Sequence, residues 1–294
     1  MSPRSIDTYR ARFERVLDYI DAHLAEDLDL ARLGDLAACS KYHFLRQFSE
    51  LFGVGVYKYV QLNRLKRASQ QLAFRLDLPV IEIALDSGYD SPESFARAFK
   101  KNLGQTPTEF RKQPQWTPWH AIYQPLAQLR NASMPTPAHP RHVQLIDFQE
   151  TPVAVLEHRG DPNLIGDSIR NFIAWRKQNH LPPARHATYN ILYDDPYEVE
   201  PQDYRFDLCV ATTQDIAENP FGIVKKTIPA GRCAVLRHVG SDDTLPQSVT
   251  YLYAEWLPQS GEEPRDFPLY LQRVRFFPDV PENEAIVDIF LPIE

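Results

Sequence analysis

Two arginines, Arg46 and Arg97, hold the same place in a pattern that the chain carries twice. Leu33, Gly34, Ser40, Phe44, Arg46, Phe48, Gly53 and Tyr59 recur in order as Ile83, Ala84, Ser91, Phe95, Arg97, Phe99, Gly104 and Phe110, at an offset of 50 that becomes 51 beyond the turn. Each position has a physical reason. Small Gly34 and Ala84 let two short helices cross closely, and Gly88 supplies the positive φ of a tight inter-helix turn. Ser40 and Ser91 read as N-caps of the helix that follows, and Gly53 and Gly104 as its C-caps. Phe44 with Phe48, and Phe95 with Phe99, are i,i+4 pairs that pin one helix face to a core and leave the arginine on the free face. A helix held by its back, with an arginine in front, fits a DNA major groove, where a guanidinium can take both acceptors of a guanine edge. Lys100 and Lys101, at the end of the second such helix, suit either a phosphate or the helix dipole. His43 reads as a packed side chain beside the pinned face.

The elements that position these side chains read as helices. Ile6, Tyr9, Phe13, Val16, Leu17, Ile20 and Leu24 draw one apolar stripe along a first helix over roughly 6–25. A length of 294 residues suggests two domains, and charge divides along the chain. Residues 1–113 hold 17 Lys+Arg and 15 Asp+Glu, and the remainder holds 15 against 24, within a total of −7. Inside the first part, residues 40–75 carry Lys41, Arg46, Lys58, Arg64, Lys66, Arg67 and Arg75 against Glu50 alone, the clustering that phosphate contact needs. Residues 76–113 net −1, so the first copy is expected to supply most of the DNA affinity. Pro114, Pro118, Pro125, Pro135, Pro137 and Pro140 mark 114–142 as a linker, because proline removes backbone donors and interrupts regular structure.

A second duplication follows. AVLEHRG at 154–160 returns as AVLRHVG at 234–240, and a helical stretch with a tryptophan, Trp175 or Trp256, follows each. Strand candidates come next, at 187–196 and 204–212 in one copy and at 268–278 and 284–293 in the other, with Pro196 and Pro278 at the hairpin turns and Asp207 and Asp288 on the returning strands. Each half reads strand–helix–strand–strand, and neither covers its sheet alone, so the two are expected to pair about a pseudo-two-fold axis. His158 and His238 occupy equivalent repeat positions and read as serving the fold. Cys39, Cys209 and Cys233 form no CxxC, which disfavours a disulfide framework or a cysteine zinc site. With no GxSxG, HExxH or P-loop, the reading is a non-enzyme with no catalytic residue, cofactor or metal. No apolar run reaches the length of a membrane span and the first residues show no export signal, so a cytoplasmic protein is expected.

Residues 5–113 resemble the AraC/XylS-type DNA-binding domain of bacterial transcription regulators, on LARLGDLAACSKYHFLRQFSELFG and VIEIALDSGYDSPESFARAFKKNLGQTPTEFR. The resemblance implies a long helix over 56–74, about 28 Å at 1.5 Å per residue, against a DNA turn of about 34 Å. One monomer would then reach two successive major grooves of double-stranded promoter DNA. It also implies contacts from Ser40, Tyr42, Leu45 and Arg46 in the first copy and from Pro92, Glu93, Ser94, Ala96 and Arg97 in the second. Leu45 and Ala96 can touch only a thymine methyl, and Glu93 can accept from a cytosine amino group or repel phosphate. Residues 143–294 resemble the GyrI-like (SHS2-type) effector-binding family, on YNILYDDP, YRFDLCV and VDIFLPI. That resemblance implies a cleft between the two halves for bulky, often aromatic or cationic molecules. Trp175, Tyr189, Tyr253, Trp256, Tyr270 and Phe277 are the aromatic candidates for it. Where drug-binding relatives carry a buried carboxylate, this chain has Gln272, Arg273 and Arg275, which argues against a cationic ligand.

The expected architecture is multi-domain, α and α+β. An all-α double helix-turn-helix domain (5–113) is followed by a proline-rich linker (114–142) and a duplicated strand-helix-strand-strand α+β domain (143–294). The expected function is a sequence-specific transcription regulator under the control of a small aromatic effector, with RNA polymerase as a further partner. The alternatives are a constitutive DNA binder with a C-terminal protein-interaction module, and a GyrI-like hydrolase or drug-sequestering protein.

Overall fold

The computed structural model describes residues 3–133 and 141–294. Its helices and its sheet form two compact units, and the short segment Phe277–Asn283 groups with the helices.

The helical unit comprises α1 (Pro3–Ala22), α2 (Leu30–Leu36), α3 (Lys41–Phe52), α4 (Val56–Phe74), α5 (Val80–Asp86), α6 (Pro92–Leu103), α7 (Pro107–Lys112) and α8 (Trp116–Ser133). The α1 stripe Phe13, Val16, Leu17 and Ile20, with Leu24 beyond the end of the helix at Ala22, closes a core with Phe44, Phe48 and Phe52 of α3 and Tyr59 of α4; the side chain of Ile6 lies outside the described residues. Phe95 and Phe99 of α6 pack with Phe110 and Trp116 through edge-on rings 5.5–5.6 Å apart. The expected small residues and caps are in place. A Cβ on Gly34 would meet the Cys39 carbonyl at 3.0 Å, and one on Gly88 (φ +72°) would stand 2.9 Å from the Ala25 carbonyl. Gly53 and Gly104 end α3 and α6 in the left-handed conformation. In the first copy Ala38 takes the turn at φ 52°, without the freedom that Gly88 has in the second. Within this unit Lys66 of α4 pairs with Glu282 at 2.7 Å, and Arg75 pairs with Asp279.

The expectation of a linker over 114–142 is corrected here, because Trp116–Ser133 is helical. Pro118 falls in the first turn, where no intrahelical donor is needed, and Pro125 lies inside the helix. Tertiary anchors outweigh the proline cost. Trp116, Trp119 and Tyr123 are buried. Trp119 Nε1 donates to Ser69 Oγ at 2.7 Å, Tyr123 Oη donates to the Leu62 carbonyl at 3.1 Å, and Arg130 pairs with buried Asp21. Pro135, Pro137 and Pro140 lie outside the described residues.

The second unit is an antiparallel sheet of β1 (Val143–Phe148), β2 (Thr151–Arg159), β3 (Thr188–Leu192), β4 (Arg205–Ala211), β5 (Val224–Ile228), β6 (Gly231–Val239), β7 (Tyr270–Arg275) and β8 (Ile286–Pro292), in the order β1-β6-β8-β7-β3-β4-β2-β5. The halves meet where β3 pairs with β7. Each half also borrows an edge strand from the other: β1 pairs with β6, with Phe148 opposite Gly231, and β5 pairs with β2, with Ile228 opposite Thr151. Both pairings follow the offset of 80 that relates AVLEHRG to AVLRHVG.

α9 (Ile165–Gln178) follows β2. After β6 come α10 (Leu245–Thr250), a π-helical stretch Tyr251–Trp256 and α11 (Leu257–Ser260). The serines that anchor the two helices keep the offset of 80. His158 Nδ1 lies 2.8 Å from Ser168 Oγ and His238 Nδ1 lies 2.9 Å from Ser248 Oγ, so the two histidines tie helix to sheet in both halves, as expected. Trp175 and Trp256 differ by 81, and the extra residue falls in the π-helical stretch. Alternation along the strands separates two faces. One face carries the helices over Trp175, Phe206 and Leu208 in one half and over Leu236, Leu252 and Ile289 in the other. The second face carries Phe148, Val155, Tyr189, Cys209, Cys233, Tyr270 and Phe290.

Candidate nucleic-acid interface and ligand face

Helix α3 begins at Ser40, whose hydroxyl accepts from the His43 backbone N–H at 3.4 Å; α6 begins at Ser91, which accepts from the Ser94 N–H at 3.1 Å. Ser94 is itself engaged, since its Oγ donates to the Ser91 carbonyl at 2.8 Å. With Phe44, Phe48, Phe95 and Phe99 fully buried, the opposite faces are free. α3 presents Tyr42, 78% exposed, and Arg46, while Leu45 is half-buried against the core. Arg46 is paired with Glu50, 3.0 Å away one turn on. α6 presents Glu93, Arg97, Lys100 and Lys101, with Pro92 and Ala96 half-buried. His43 is exposed, which corrects its reading as a packed side chain: it lies one residue before Phe44, off the pinned stripe.

The basic cluster of residues 40–75 divides by helix face, and the larger part is structural. Arg64 Nε donates to the Leu24 carbonyl at 2.6 Å, Nη2 to the Glu26 carbonyl at 2.7 Å and Nη1 to the Gly88 carbonyl at 3.1 Å, so its guanidinium ties the α1–α2 loop to the α5–α6 turn. Lys66 is buried, Arg67 is half-buried, and Arg75 is held by Asp279. Lys41, Arg46 and Lys58 remain exposed, and Lys58 bonds Asn102. The second copy exposes Arg97, Lys100, Lys101 and Lys112. The electrostatic ground for giving the first copy most of the affinity is therefore gone: a local charge total does not distinguish an inward cation from an outward one.

On the sheet, two of the six aromatic candidates come together. Tyr189 and Tyr270 lie 6.3 Å apart, centroid to centroid, and Phe148 packs edge-on against both. Phe290 stacks on Tyr270 at 4.8 Å. Trp175 and Trp256 lie under the helices on the opposite face, Tyr253 stands 42% exposed on the π-helical stretch, and Phe277 belongs to the segment grouped with the helical unit. Phe148 and Phe290 were not among the candidates. The signal for Phe148 was its match to Ile228 at the repeat offset, which required recognising β1 and β5 as strands.

The aromatic face carries the carboxylates of Glu157, Asp207 and Asp288, each already ion-paired. Asp207 is fully buried and accepts from Lys226 Nζ at 2.8 Å, Arg159 Nη1 at 2.9 Å and Tyr193 Oη at 3.0 Å. The Asp207 and Glu157 carboxylates hold the Lys226 ammonium well above the usual lysine range despite its partial burial. Asp288 takes Nε and Nη2 of Arg237 at 2.7 and 2.8 Å. Arg273 spans Asn190 and Asp242, and Arg275 pairs with Glu284. Asp194 and Asp195 act as turn residues: Asp194 accepts a fork from Arg205, and Asp195 accepts from the Tyr197 N–H. Burial raises the thiols of Cys209 and Cys233. Among the described residues no group of His, Cys, Asp and Glu could hold a metal ion, and no helix is long and apolar enough to cross a membrane.

A helix-turn-helix domain family matches residues 33–113, and the GyrI-like small molecule binding domain family matches residues 141–294. The chain is 36% identical over 152 residues to the Probable transcriptional regulator YgiV of Escherichia coli (strain K12), covering 51% of this chain and 95% of that protein. It is 32% identical over 139 residues to the Right origin-binding protein of the same strain, covering 47% of this chain and 45% of that protein. Among solved structures, the cryo-EM structure of the EcmrR–DNA complex is similar over 89% of this chain and 84% of that one, at 14% identity and a TM-score of 0.44. With the second match spanning more than half of its length, the chain belongs to the GyrI-like small molecule binding domain family, joined to an AraC-type helix-turn-helix domain in a transcriptional regulator.

Proposed function

We propose that α3 and α6 enter successive major grooves on one side of promoter DNA, and that an aromatic effector bound on the Tyr189–Tyr270 face of the sheet changes that binding. The observation that carries the first part is the pair of serine-capped, phenylalanine-pinned helices on either side of a 19-residue α4, each with an exposed arginine. Arg46 and Arg97 read base edges; Tyr42, Lys41, Lys100 and Lys101 take the flanking backbone. Support for the second part is the cluster of rings on one sheet face beside already neutralised carboxylates. Phe277–Asn283 joins β7 to β8 in sequence yet belongs to the helical unit, where Glu282 holds Lys66 of α4, so the chain offers a covalent route for effector control. Selection from random DNA followed by footprinting tests the reading. Two protected patches about one turn, 10 base pairs, apart on one side are expected. A single short patch would refute the two-groove mode, and DNA affinity unmoved by any stabilising ligand would refute effector control.

A further inference from the structure

Arg265 sits in the approach to β7. Its backbone N–H donates to the Pro292 carbonyl at 3.0 Å and its own carbonyl accepts from the Phe267 N–H at 2.7 Å, so its Cα is fixed at the sheet. Its side chain lies directly over Gly231, the first residue of β6. A Cβ there would stand 2.1 Å from Nη1 and 2.6 Å from Cζ, so the guanidinium occupies the space a side chain would fill. Gly231 is opposite Phe148 in register and two residues before Cys233, which places the guanidinium on the aromatic face. Cys233 Sγ lies 3.3 Å from Tyr270 Oη, and the nearby positive charge of Arg265 acts on both groups, opposing the rise that burial gives them.

Nη1 donates to the Ala230 carbonyl, but Nε and Nη2 are closed to solvent and have no hydrogen-bond partner among the described residues. Unpaired buried donors on a charged group are costly and call for an explanation. The unpaired edge is the one this protein uses elsewhere to hold a carboxylate: Arg205 grips Asp194, and Arg237 grips Asp288, through Nε and Nη2. We infer that the aromatic face binds an aromatic acid, its ring among Phe148, Phe267 and Tyr270 and its carboxylate on the Nε–Nη2 edge of Arg265. This rests on the reading of that face as the effector site and names the effector's chemical class. The fork geometry gives specificity as well as affinity. Among the described residues the carboxylates of that face, Glu157, Asp207 and Asp288, are already ion-paired and offer no competing cation site.

The test is calorimetric titration of the full chain with 2-naphthoate, 2-naphthamide and 2-naphthylmethylammonium, which differ in charge on one ring system. Naphthoate should bind at least about tenfold more tightly than the amide. Arg265→Gln should remove that preference and leave the amide unchanged, and Gly231→Ala, which displaces the guanidinium, should also reduce it. Without ligand, Arg265→Gln should melt no lower than the parent, since it removes an uncompensated charge; a lower melting temperature would show the guanidinium to be satisfied and overturn the inference. Equal or tighter binding of the amide or the cation, or naphthoate affinity that survives Arg265→Gln, would overturn the acid specificity and leave the effector reading standing. Failure of all three compounds to bind would overturn both.

Discussion

The two helix-turn-helix copies and the two halves of the sheet are both duplications, and they close their cores in different ways. In the helical unit each copy pins its own helix locally, Phe44 and Phe48 against α1 and Tyr59, Phe95 and Phe99 against Phe110. In the sheet each half is completed by a strand from the other, and Phe148 of β1, which precedes the first repeat, packs with Tyr189 of one half and with Tyr270 and Phe290 of the other. Local closure leaves a copy free to diverge on its outer face, as Arg46 beside Glu50 and Arg97 without a carboxylate partner among the described residues have done. Exchange binds two halves into one cooperative body and puts shared rings at the seam.

Core truncation should have the largest effects. Phe148→Ala and Phe99→Ala should each cost about 3–5 kcal/mol. Hydrogen exchange should separate them: Phe99→Ala lowers protection in α5 and α6 and spares α3, while Phe148→Ala lowers it in β4 and β8 alike. Loss confined to one half of the sheet would contradict shared closure. Next in size, Arg46→Ala and Arg97→Ala should each weaken specific DNA binding by about 1–3 kcal/mol. Arg97→Ala is expected to cost at least as much, because among the described residues Arg97 has no internal carboxylate to leave; gel-shift titration showing Arg46→Ala to be much the worse would restore the first copy's dominance.

Burial holds His158 and His238 below the usual histidine range, so the folded sheet binds fewer protons than the unfolded chain does near pH 6. Their contribution is present above the unfolded value of about 6.5 and is lost as pH falls below it, by at most about 1.4 kcal/mol per histidine per pH unit. Denaturant melts at pH 7.5 and 5.5 should show this in the sheet, and His238→Gln should flatten the dependence. The smallest effect is expected at the first turn of the helical unit. Ala38→Gly gives the first turn what Gly88 gives the second and should stabilise that copy by about 0.5–1 kcal/mol, measured by thermal melting.

Much of the helical unit was legible because its signals are local. Ser40, Gly53, Ser91 and Gly104 bound α3 and α6, and the 19 residues of α4 fall where the pattern placed them. The half-sites of the sheet were legible through repetition, down to the equivalence of His158 and His238. Besides that of His43, three readings changed. Pro118 and Pro125 did not prevent α8, because Trp119 and Tyr123 found partners 50 and 61 residues away. Four of the seven clustered cations, Arg64, Lys66, Arg67 and Arg75, are buried or half-buried, because a charge total does not say which way each cation faces. Trp175 and Trp256 went beneath the helices, away from Tyr189 and Tyr270.

The two duplications and their strand–helix–strand–strand order show in the residues through repetition, and the helix caps and two outward arginines through neighbours within a turn or two of one another. The exchange of β1 and β5, the room that Gly231 makes for Arg265, and the gathering of rings on one sheet face beside an unpaired guanidinium edge belong to the folded chain alone. Those outcomes depend on register between strands far apart in sequence, where shifting a strand by one residue turns every side chain to the other face.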